Sequence, residues 1–289
     1  MASPLHERIM LLTGATSGIG RELARGLARQ GVRLVLACRN PAKMHDLRAS
    51  LQAESGNTSI DTFTLDLASL RSIRQFSHEF LARYSQLHVL INNAGVFSID
   101  RHETEDGFEL TMGTNVFGPF LLTSALAPLL AATPGARIVN VGSDAYKFAK
   151  LDLNDLQLTR RYEGFPAYAT SKLAIQLWTQ ELAARLRPHG VMVNSLHPGH
   201  VDTAIWQIWQ HPSWYQRLLV KMMTLSIISA EAGAQTPLYL ALSDEVAHVT
   251  GAYFVKQRQQ PIARRADNPP LQRGLWVAGE QLTGARWEL

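Results

Sequence analysis

Cysteine is nearly absent from this sequence, since Cys38 is the only one in 289 residues. No internal disulfide can therefore form, and a cluster of thiolate metal ligands is excluded. Unbroken apolar runs of about 18 residues, which a membrane-spanning helix needs, are also absent. Residues 1–8 carry no apolar run, so we expect no secretory signal and a cytoplasmic location.

Charge of one sign and metal-binding motifs are scarce as well. The formal net charge is +4, and the basic residues are dispersed except between 256 and 265, which argues against nucleic-acid binding. Ten histidines are present, but none forms His-Glu-x-x-His, so we expect no metal site. The residues around Ser143 do not form Gly-x-Ser-x-Gly, which makes acyl transfer a poor alternative.

Apolar, partly β-branched segments alternate along the chain with segments of helix length. The predicted strands are 9–13, 32–37, 60–65, 89–92, 138–141, 191–196 and 252–255. The predicted helices between them are 20–30, 41–54, 70–84, 116–132 and 166–186. This alternation predicts one α/β domain over residues 1–289, with a Rossmann-type doubly wound parallel sheet of about seven strands flanked by helices.

Two segments depart from the alternation. Residues 203–229 are rich in tryptophan, tyrosine and methionine, and they have three interpretations: a helix pair that closes the core, a helical lid over an apolar substrate pocket, or a peripheral contact with a membrane. A C-terminal extension at about 257–289 starts as a polar, proline-bearing loop through residue 270 and ends in a short helix at 271–282.

A glycine-rich turn follows the first predicted strand. It reads Thr13-Gly14-Ala15-Thr16-Ser17-Gly18-Ile19-Gly20 and leads into a helix. Glycines allow a sharp turn and a close approach of the backbone to a pyrophosphate, which is favoured at a helix N-terminus. The spacing differs from the common G-x-G-x-x-G, and a plain strand-to-helix turn is the alternative. Its place at the first strand of an alternating chain favours dinucleotide binding.

The cofactor preference is predicted from the end of the second strand, where an acidic residue would bind a ribose 2′-hydroxyl. This chain has Arg39 there, with Arg21 near the glycine turn, and guanidinium groups suit a 2′-phosphate. NADP(H) is therefore favoured over NAD(H), unless Arg39 is an ordinary solvated arginine. Asp66, after the third strand, is placed to accept from the adenine amino group or to cap the next helix.

Tyr168 and Lys172 are four residues apart in a predicted helix, so their side chains share one face. A phenol has a pKa near 10, and it serves as an acid–base group at neutral pH only when a nearby cation stabilises the phenolate. The Tyr-x-x-x-Lys pattern alone is weak, because helices often place a lysine one turn from an aromatic residue.

Further motifs accompany this pair: Asn92-Asn93-Ala94-Gly95, Asn115, Ser143 and Pro198-Gly199. In order and spacing, the whole set resembles the short-chain dehydrogenase/reductase family over nearly the entire chain. The resemblance implies that Tyr168 is the general acid or base and that Ser143 polarises the substrate oxygen. Lys172 would lower the pKa of Tyr168, and Asn115 would hold a water that links Lys172 to solvent.

The resemblance also implies the cofactor contacts. Besides Tyr168 and Lys172, they are Gly14, Thr16, Ser17, Gly18, Ile19, Gly20, Arg39, Asp66, Asn93, Ala94, Gly95, Pro198, Gly199 and Thr203. Within the family, the pattern is closest to the retinol dehydrogenase and carbonyl reductase group, through segments such as Ala37-Cys38-Arg39-Asn40 and Gly274-Leu275-Trp276. That similarity implies NADP(H) and a small lipophilic alcohol, aldehyde or ketone of retinoid or steroid type.

Two departures and two alternatives complete the sequence-based expectations. Gly142 replaces a serine, and His88 replaces an aspartate, that many family members carry. The helices at 116–130 and 168–186 are apolar on more than one face, which favours a homodimer, with a purely internal core role as the alternative. A non-catalytic protein that senses NADP(H) is the alternative to an enzyme, although a sensor needs none of the catalytic residues.

Overall fold

A computed structural model describes residues 4–201 and 227–287. Its main sheet has eight strands in the order β10-β9-β6-β5-β4-β1-β2-β3. The strands are β1 (Ile9–Thr13), β2 (Arg33–Cys38), β3 (Ile60–Thr64), β4 (Val89–Asn92), β5 (Arg137–Val141), β6 (Met192–His197), β9 (Tyr253–Val255) and β10 (Arg258–Gln260). All neighbouring strands are parallel except β9 and β10. A second, two-stranded sheet pairs β7 (His200–Val201) with β8 (Ile227–Ile228).

Helices cover both faces of the main sheet. They are α1 (Gly18–Arg29), α2 (Pro41–Ser55), α3 (Leu70–Arg83), α4 (Leu110–Ala132), α5 (Gly164–Leu186), α6 (Ala230–Leu242) and α7 (Pro269–Thr283). All five residues of β1 are buried, with Leu11 in one core cluster and Met10 and Leu12 in the other. Alternate side chains of a strand point to opposite faces, so a strand covered twice reads as one apolar run. The doubly wound fold predicted from the sequence is confirmed.

The order of the sheet places the carboxyl ends of β1 and β4 side by side. The chain moves outward from β1 to β2 and β3, then crosses back to β4 on the other side of β1. Such a reversal opens a crevice beyond the carboxyl ends of the strands, which is where ligands bind in open α/β sheets. The glycine turn after β1 and the Asn93-Ala94-Gly95 segment after β4 both lie at this crevice.

The C-terminal helix α7 covers the apolar faces that suggested a homodimer. Trp276 is fully buried, and its ring centroid lies 5.1 Å from that of Phe120 in α4. The guanidinium of Arg185 in α5 lies 4.3 Å from the ring centroid of Trp276. The chain therefore buries these faces itself, which favours the internal core role. A homodimer through the same faces would have to displace α7, so the homodimer stays a prediction.

The C-terminal extension contains a strand that was not predicted from the sequence. Residues 257–270 were expected to form a loop, but Arg258–Gln260 pairs antiparallel with β9. Lys256 and Gln257 connect the two strands with positive φ angles of 50° and 60°, as a two-residue primed hairpin turn requires. The usual Asn-Gly signal is missing, which explains why the hairpin was not recognised and why about seven strands were predicted.

Two other expectations concern membranes and the lid. Among the described residues, α4 is long and apolar enough to span a membrane, but 72% of the relevant window is buried inside the protein. That burial is what a core helix between a sheet and α7 requires. The predicted lid at 203–229 lies outside the described residues apart from its last three, where Ile227–Ile228 form β8 and Ser229 caps α6.

Candidate active site

The glycine turn and the end of β4 are locked together by hydrogen bonds. The Nδ2 of Asn93 donates to the carbonyl oxygens of Thr13, at 2.9 Å, and Gly14, at 3.1 Å. The Thr13 hydroxyl accepts from the backbone of Asn93 and Ala94, each at 3.1 Å. Gly14 has φ 71°, and a Cβ there would lie 2.7 Å from the Cα of Ala94. Only glycine fits this close approach, so the turn is fixed before any ligand arrives.

A cleft of about 430 Å³ opens over the turn. Its lining includes eleven predicted cofactor residues, which are Gly14, Thr16, Ser17, Gly18, Ile19, Gly20, Arg39, Asp66, Asn93, Ala94 and Gly95. It also includes Cys38, Asn40, Lys43, Val96 and Thr114, which the sequence analysis did not assign to the site. A backbone turn at the start of a helix fits the pyrophosphate of a dinucleotide, and the basic side chains of Arg39 and Lys43 line the same cleft.

Cys38 supports the turn from below. Its buried sulfur accepts a hydrogen bond from the backbone N–H of Ala15 at 3.2 Å. Burial raises the pKa of the Cys38 thiol, and the N–H groups of the turn only partly oppose this. The thiol is therefore neutral at physiological pH. No local sequence pattern marks a cysteine as a partner for a backbone N–H 23 residues away.

Two exposed cations lie at the end of β2. Arg39 follows the strand, and Lys43 lies in the first turn of α2, where the side chain of Asn40 accepts from the Lys43 N–H at 3.0 Å. Both line the cleft, whereas Arg21 is exposed and is not among the lining residues. Asn40 followed by Pro41 is a helix-start signal, and it could have placed Lys43 beside Arg39.

Asp66 lines the cleft but does not cap the next helix. Its Oδ1 accepts from the backbone N–H of Ala68 at 2.9 Å. The N-terminal cap of α3 is Ser69, whose hydroxyl accepts from the N–H of Ser72 at 3.2 Å. The capping interpretation of Asp66 was therefore wrong, and the adenine contact stays a prediction.

Tyr168, Lys172 and Ser143 converge at the end of β5. Lys172 lies 5.4 Å from the centroid of the Tyr168 ring, and its Nζ donates to the carbonyl oxygen of Val141 at 3.1 Å. Burial lowers the pKa of Lys172 to about 8. Burial also raises the pKa of Tyr168 to about 12, although a hydrogen bond with Ser143 partly opposes this. The net pKa of Tyr168 is raised because desolvation outweighs the hydrogen bond with Ser143, and the lowering influence expected from Lys172 stays a prediction.

Asn115 lies in a π-helical turn, Gly113–Phe117, inside α4. Its Nδ2 donates to the carbonyl of Val96 at 3.0 Å and to the hydroxyl of Ser171 at 3.1 Å, and its Oδ1 accepts from the Val96 N–H at 2.7 Å. Both amide hydrogens are used, so the side chain cannot donate to a water. The structure shows Asn115 as a clamp that joins the loop after β4 to α5.

Gly95 connects the cleft with the chemical residues. It lines the cleft, and a Cβ at this position would lie 3.3 Å from Oδ1 of Asn115 and 3.8 Å from Nζ of Lys172. Pro198 and Gly199 directly follow β6, whose Leu196 carbonyl accepts from the N–H of Gly142 at 2.8 Å. They do not line the cleft, and Thr203 lies outside the described residues. Within the described ranges, no group of three His, Cys, Asp or Glu side chains is placed to hold a metal ion.

This arrangement agrees with comparisons to known proteins. A model of the family described as short chain dehydrogenase matches residues 8–213. The chain belongs to the short chain dehydrogenase family. The resemblance stated from the sequence motifs is thereby confirmed.

Several relatives within this family are retinol dehydrogenases. Human retinol dehydrogenase 12 is 39% identical over 98% of this chain and 89% of its own length. Mouse polyprenol dehydrogenase is 39% identical over 98% of this chain and 85% of its own. A crystal structure of an uncharacterized protein from Mycobacterium paratuberculosis has a TM-score of 0.77 and 32% identity, covering 98% of this chain and 95% of that one. A short chain dehydrogenase from Escherichia coli CFT073, complexed with NADPH, has a TM-score of 0.69 and 26% identity over 88% of this chain and 98% of that one.

Proposed function

We propose that the protein is an NADP(H)-dependent oxidoreductase that interconverts a lipophilic carbonyl compound and its alcohol, with Tyr168 as the acid–base residue. The observation that carries this proposal is the position of Gly95. It lines the cleft over the glycine turn and lies beside both Asn115 and Lys172. A nicotinamide that reaches from the cleft towards Gly95 would meet Tyr168 on the same side of the sheet.

The preference for NADP(H) is supported by Arg39 and Lys43. Two cations at the ribose end of the cleft stabilise a 2′-phosphate through charge-assisted hydrogen bonds. The NADPH complex of the Escherichia coli relative supports the same cofactor. Bound NADPH would supply the hydride, and the protein would orient the substrate and supply the proton.

Tyr168 holds the proton that reduction of a carbonyl requires. With a pKa near 12, Tyr168 carries its proton at neutral pH and is ready to donate it to a carbonyl oxygen. Ser143 hydrogen bonds to Tyr168. Once a substrate is bound, the Ser143 hydroxyl would donate a second hydrogen bond to the substrate carbonyl oxygen.

Lys172 is suited to restore the proton of Tyr168. A pKa of about 8 means that its ammonium form dominates at neutral pH but gives up a proton readily. While charged, Lys172 also stabilises the phenolate left after proton transfer. We propose that the relay water is held by the backbone carbonyl of Asn115, since its amide hydrogens are used by Val96 and Ser171.

Apolar side chains around Tyr168 support a lipophilic substrate. The ring of Phe97 lies edge-on to Tyr168, with centroids 5.8 Å apart. Phe148, on the segment after Ser143, is 79% exposed, and Phe165 at the start of α5 is 44% exposed. Phe148 and Phe165 lie on the segments that carry Ser143 and Tyr168, and apolar side chains beside a site favour apolar ligands. The names of the relatives refer to retinol and polyprenol, which are apolar alcohols.

The test is a panel of aldehydes and ketones, from small polar compounds to retinal and steroid ketones, with NADPH and NADH oxidation followed separately. We expect turnover with NADPH and with bulky apolar substrates, and loss of turnover in Tyr168→Phe. Tight NADPH binding without turnover on any substrate would instead favour the cofactor-sensing alternative. Turnover that persists in Tyr168→Phe would contradict the assigned acid–base role.

A further inference from the structure

The residue after the active-site serine is held by a distant tyrosine. Asp144 begins the short 3-10 helix Asp144–Phe148, and its Oδ1 accepts from the hydroxyl of Tyr253 at 2.8 Å. Tyr253 lies on β9, 109 residues later in the chain. Lys147 contacts the same oxygen of Asp144, at 2.7 Å. The segment after β5 is thus connected to β9, two strands away in the sheet, by a carboxylate with two donors.

Tyr253 is itself held rigidly. Its ring is fully buried, and its backbone pairs with Ser195 of β6. The ring of Tyr146, from the same short helix as Asp144, packs edge-on against it with centroids 5.2 Å apart. The hydroxyl of Tyr146 accepts from the backbone N–H of Ala263 at 3.1 Å. The loop therefore rests on β9 and on the C-terminal extension.

The carboxylate of Asp144 is ionised in this position. Burial alone would raise the pKa of Asp144, but the hydrogen bonds from Lys147 and Tyr253 outweigh burial, so the pKa is lowered. Hydrogen bonds to an ionised acceptor are shorter and stronger than those between neutral groups. A partly buried, charge-assisted contact of this kind adds to the backbone hydrogen bonds that hold the segment after Ser143.

The position of the Ser143 side chain depends on the contacts of Asp144. Its hydroxyl accepts from the N–H of Ala145 at 3.3 Å and also hydrogen bonds to Tyr168. The peptide bond between Ser143 and Asp144 means that a shift of the Asp144 carboxylate moves the serine. A misplacement of about 1 Å at a reacting centre can reduce a rate about 100-fold.

We propose that Asp144 and Tyr253 are positioning residues that hold Ser143 in register with Tyr168 and the substrate oxygen. The proposal rests on the proposed function, because it assigns to this pair a role in the same reaction. Neither residue touches substrate or cofactor in it. Both act through the backbone of Ser143.

The test compares Tyr253→Phe with Tyr146→Phe. Each variant removes one hydroxyl from a buried ring, but only Tyr253 contacts Asp144. We expect Tyr253→Phe to lower kcat about tenfold, while KM and the Kd for NADPH stay within about twofold, because one charge-assisted hydrogen bond is lost. Tyr146→Phe should lower Tm by a similar amount but leave kcat within about twofold.

Variants of Asp144 separate positioning from stability. Asp144→Ala should lose as much kcat as Tyr253→Phe, and the double variant should lose about tenfold rather than about 100-fold, because both act through one contact. Asp144→Asn keeps an acceptor for Tyr253 and should retain more activity than Asp144→Ala. Equal losses of kcat in Tyr253→Phe and Tyr146→Phe would overturn the proposal.

A crystal structure of Tyr253→Phe separates this proposal from the proposed function. We expect the Ser143 hydroxyl to move away from Tyr168 relative to the wild-type crystal structure. An unmoved serine would overturn the positioning role, whether or not a substrate has been found. A wild-type protein without turnover on any substrate would speak only against the proposed function.

Discussion

Lys172 lowers the stability of the fold that it serves, and its replacement should reveal this. Its side chain is 6% exposed, and burial lowers its pKa from the ordinary 10.5 to about 8. At 1.36 kcal/mol for each pH unit, keeping the ammonium charged at neutral pH costs roughly 3 kcal/mol. Lys172→Met removes the charge and keeps most of the side-chain volume. The lost hydrogen bond to Val141 offsets about 1 kcal/mol of the gain.

We therefore expect Lys172→Met to raise the free energy of unfolding by about 2 kcal/mol at neutral pH, or Tm by about 4 °C for a chain of this size. Between about pH 8 and pH 10.5 the unfolded wild-type chain binds a proton at Lys172 that the folded chain does not. Wild-type stability attributable to this group consequently rises with pH over that range. The advantage of the variant should shrink in parallel and vanish at about pH 10, where the remaining cost of the buried lysine equals the value of the lost hydrogen bond.

The assay is urea unfolding of wild type and Lys172→Met at about pH 7 and at about pH 10. Lys150→Met is the matched control, because Lys150 is exposed and its replacement should change stability by less than about 0.5 kcal/mol. Lys172→Met should also have lost most of its turnover, unlike the control. A variant no more stable than wild type at neutral pH, or a gain that is equal at both pH values, would refute the reasoning.

Three further predictions concern the cofactor and the sheet. Arg39→Asp should lower the preference for NADPH over NADH by roughly 10- to 100-fold, the value of a charge-assisted contact, while Arg21→Asp outside the cleft should leave it unchanged. Titrations with NADPH and NADH measure the preference of each variant. Equal NADPH-to-NADH affinity ratios in the two variants would contradict the prediction. Burial lowers the pKa of His88, whose Nδ1 accepts from the Ile9 N–H at 3.1 Å. Wild-type stability in unfolding experiments should therefore fall as pH drops below about 6.5. His88→Asn keeps an acceptor for Ile9, and its stability should depend less on pH. Gly142→Ala should destabilise the fold by about 1–3 kcal/mol in urea unfolding, because its Cβ would lie 2.9 Å from the Leu196 carbonyl oxygen, and an unchanged midpoint would show that β6 yields easily.

The sequence predicted those parts of the fold that local patterns encode. Apolar runs located the six strands from β1 to β6 to within about one residue, because a strand covered on both faces has no polar alternation to confuse its limits. The glycine turn and the Tyr168–Lys172 pair were also predictable from local sequence. Each is a short pattern whose geometry follows from the spacing of its residues.

Contacts between distant segments were not predictable. Cys38 accepts from Ala15 across 23 residues, and Asp144 accepts from Tyr253 across 109. No residue pattern near Cys38 or Asp144 indicates which distant residue contacts it. The second apolar face of α5 was correctly recognised, but only the structure shows that α7 of the same chain covers it.

The direction of the net pKa shift of Tyr168 was not predictable for a related reason. The spacing of Tyr168 and Lys172 shows that they are neighbours, but the direction of the pKa depends on how much water the surrounding chain removes. Here burial is the dominant influence on both groups, raising one pKa and lowering the other. The pKa of Tyr168 is thus about 12 and that of Lys172 about 8, although the ordinary values of the two groups nearly coincide.

The central claim is that Tyr168 supplies the proton to a carbonyl oxygen in an NADPH-dependent reduction. The most direct measurement is NADPH oxidation by wild type and Tyr168→Phe with one apolar aldehyde, alongside the Kd for NADPH of each. The account predicts at least about a 100-fold loss of kcat in the variant, the lower range for a lost general acid, with an unchanged Kd. Near-normal turnover in Tyr168→Phe would contradict it.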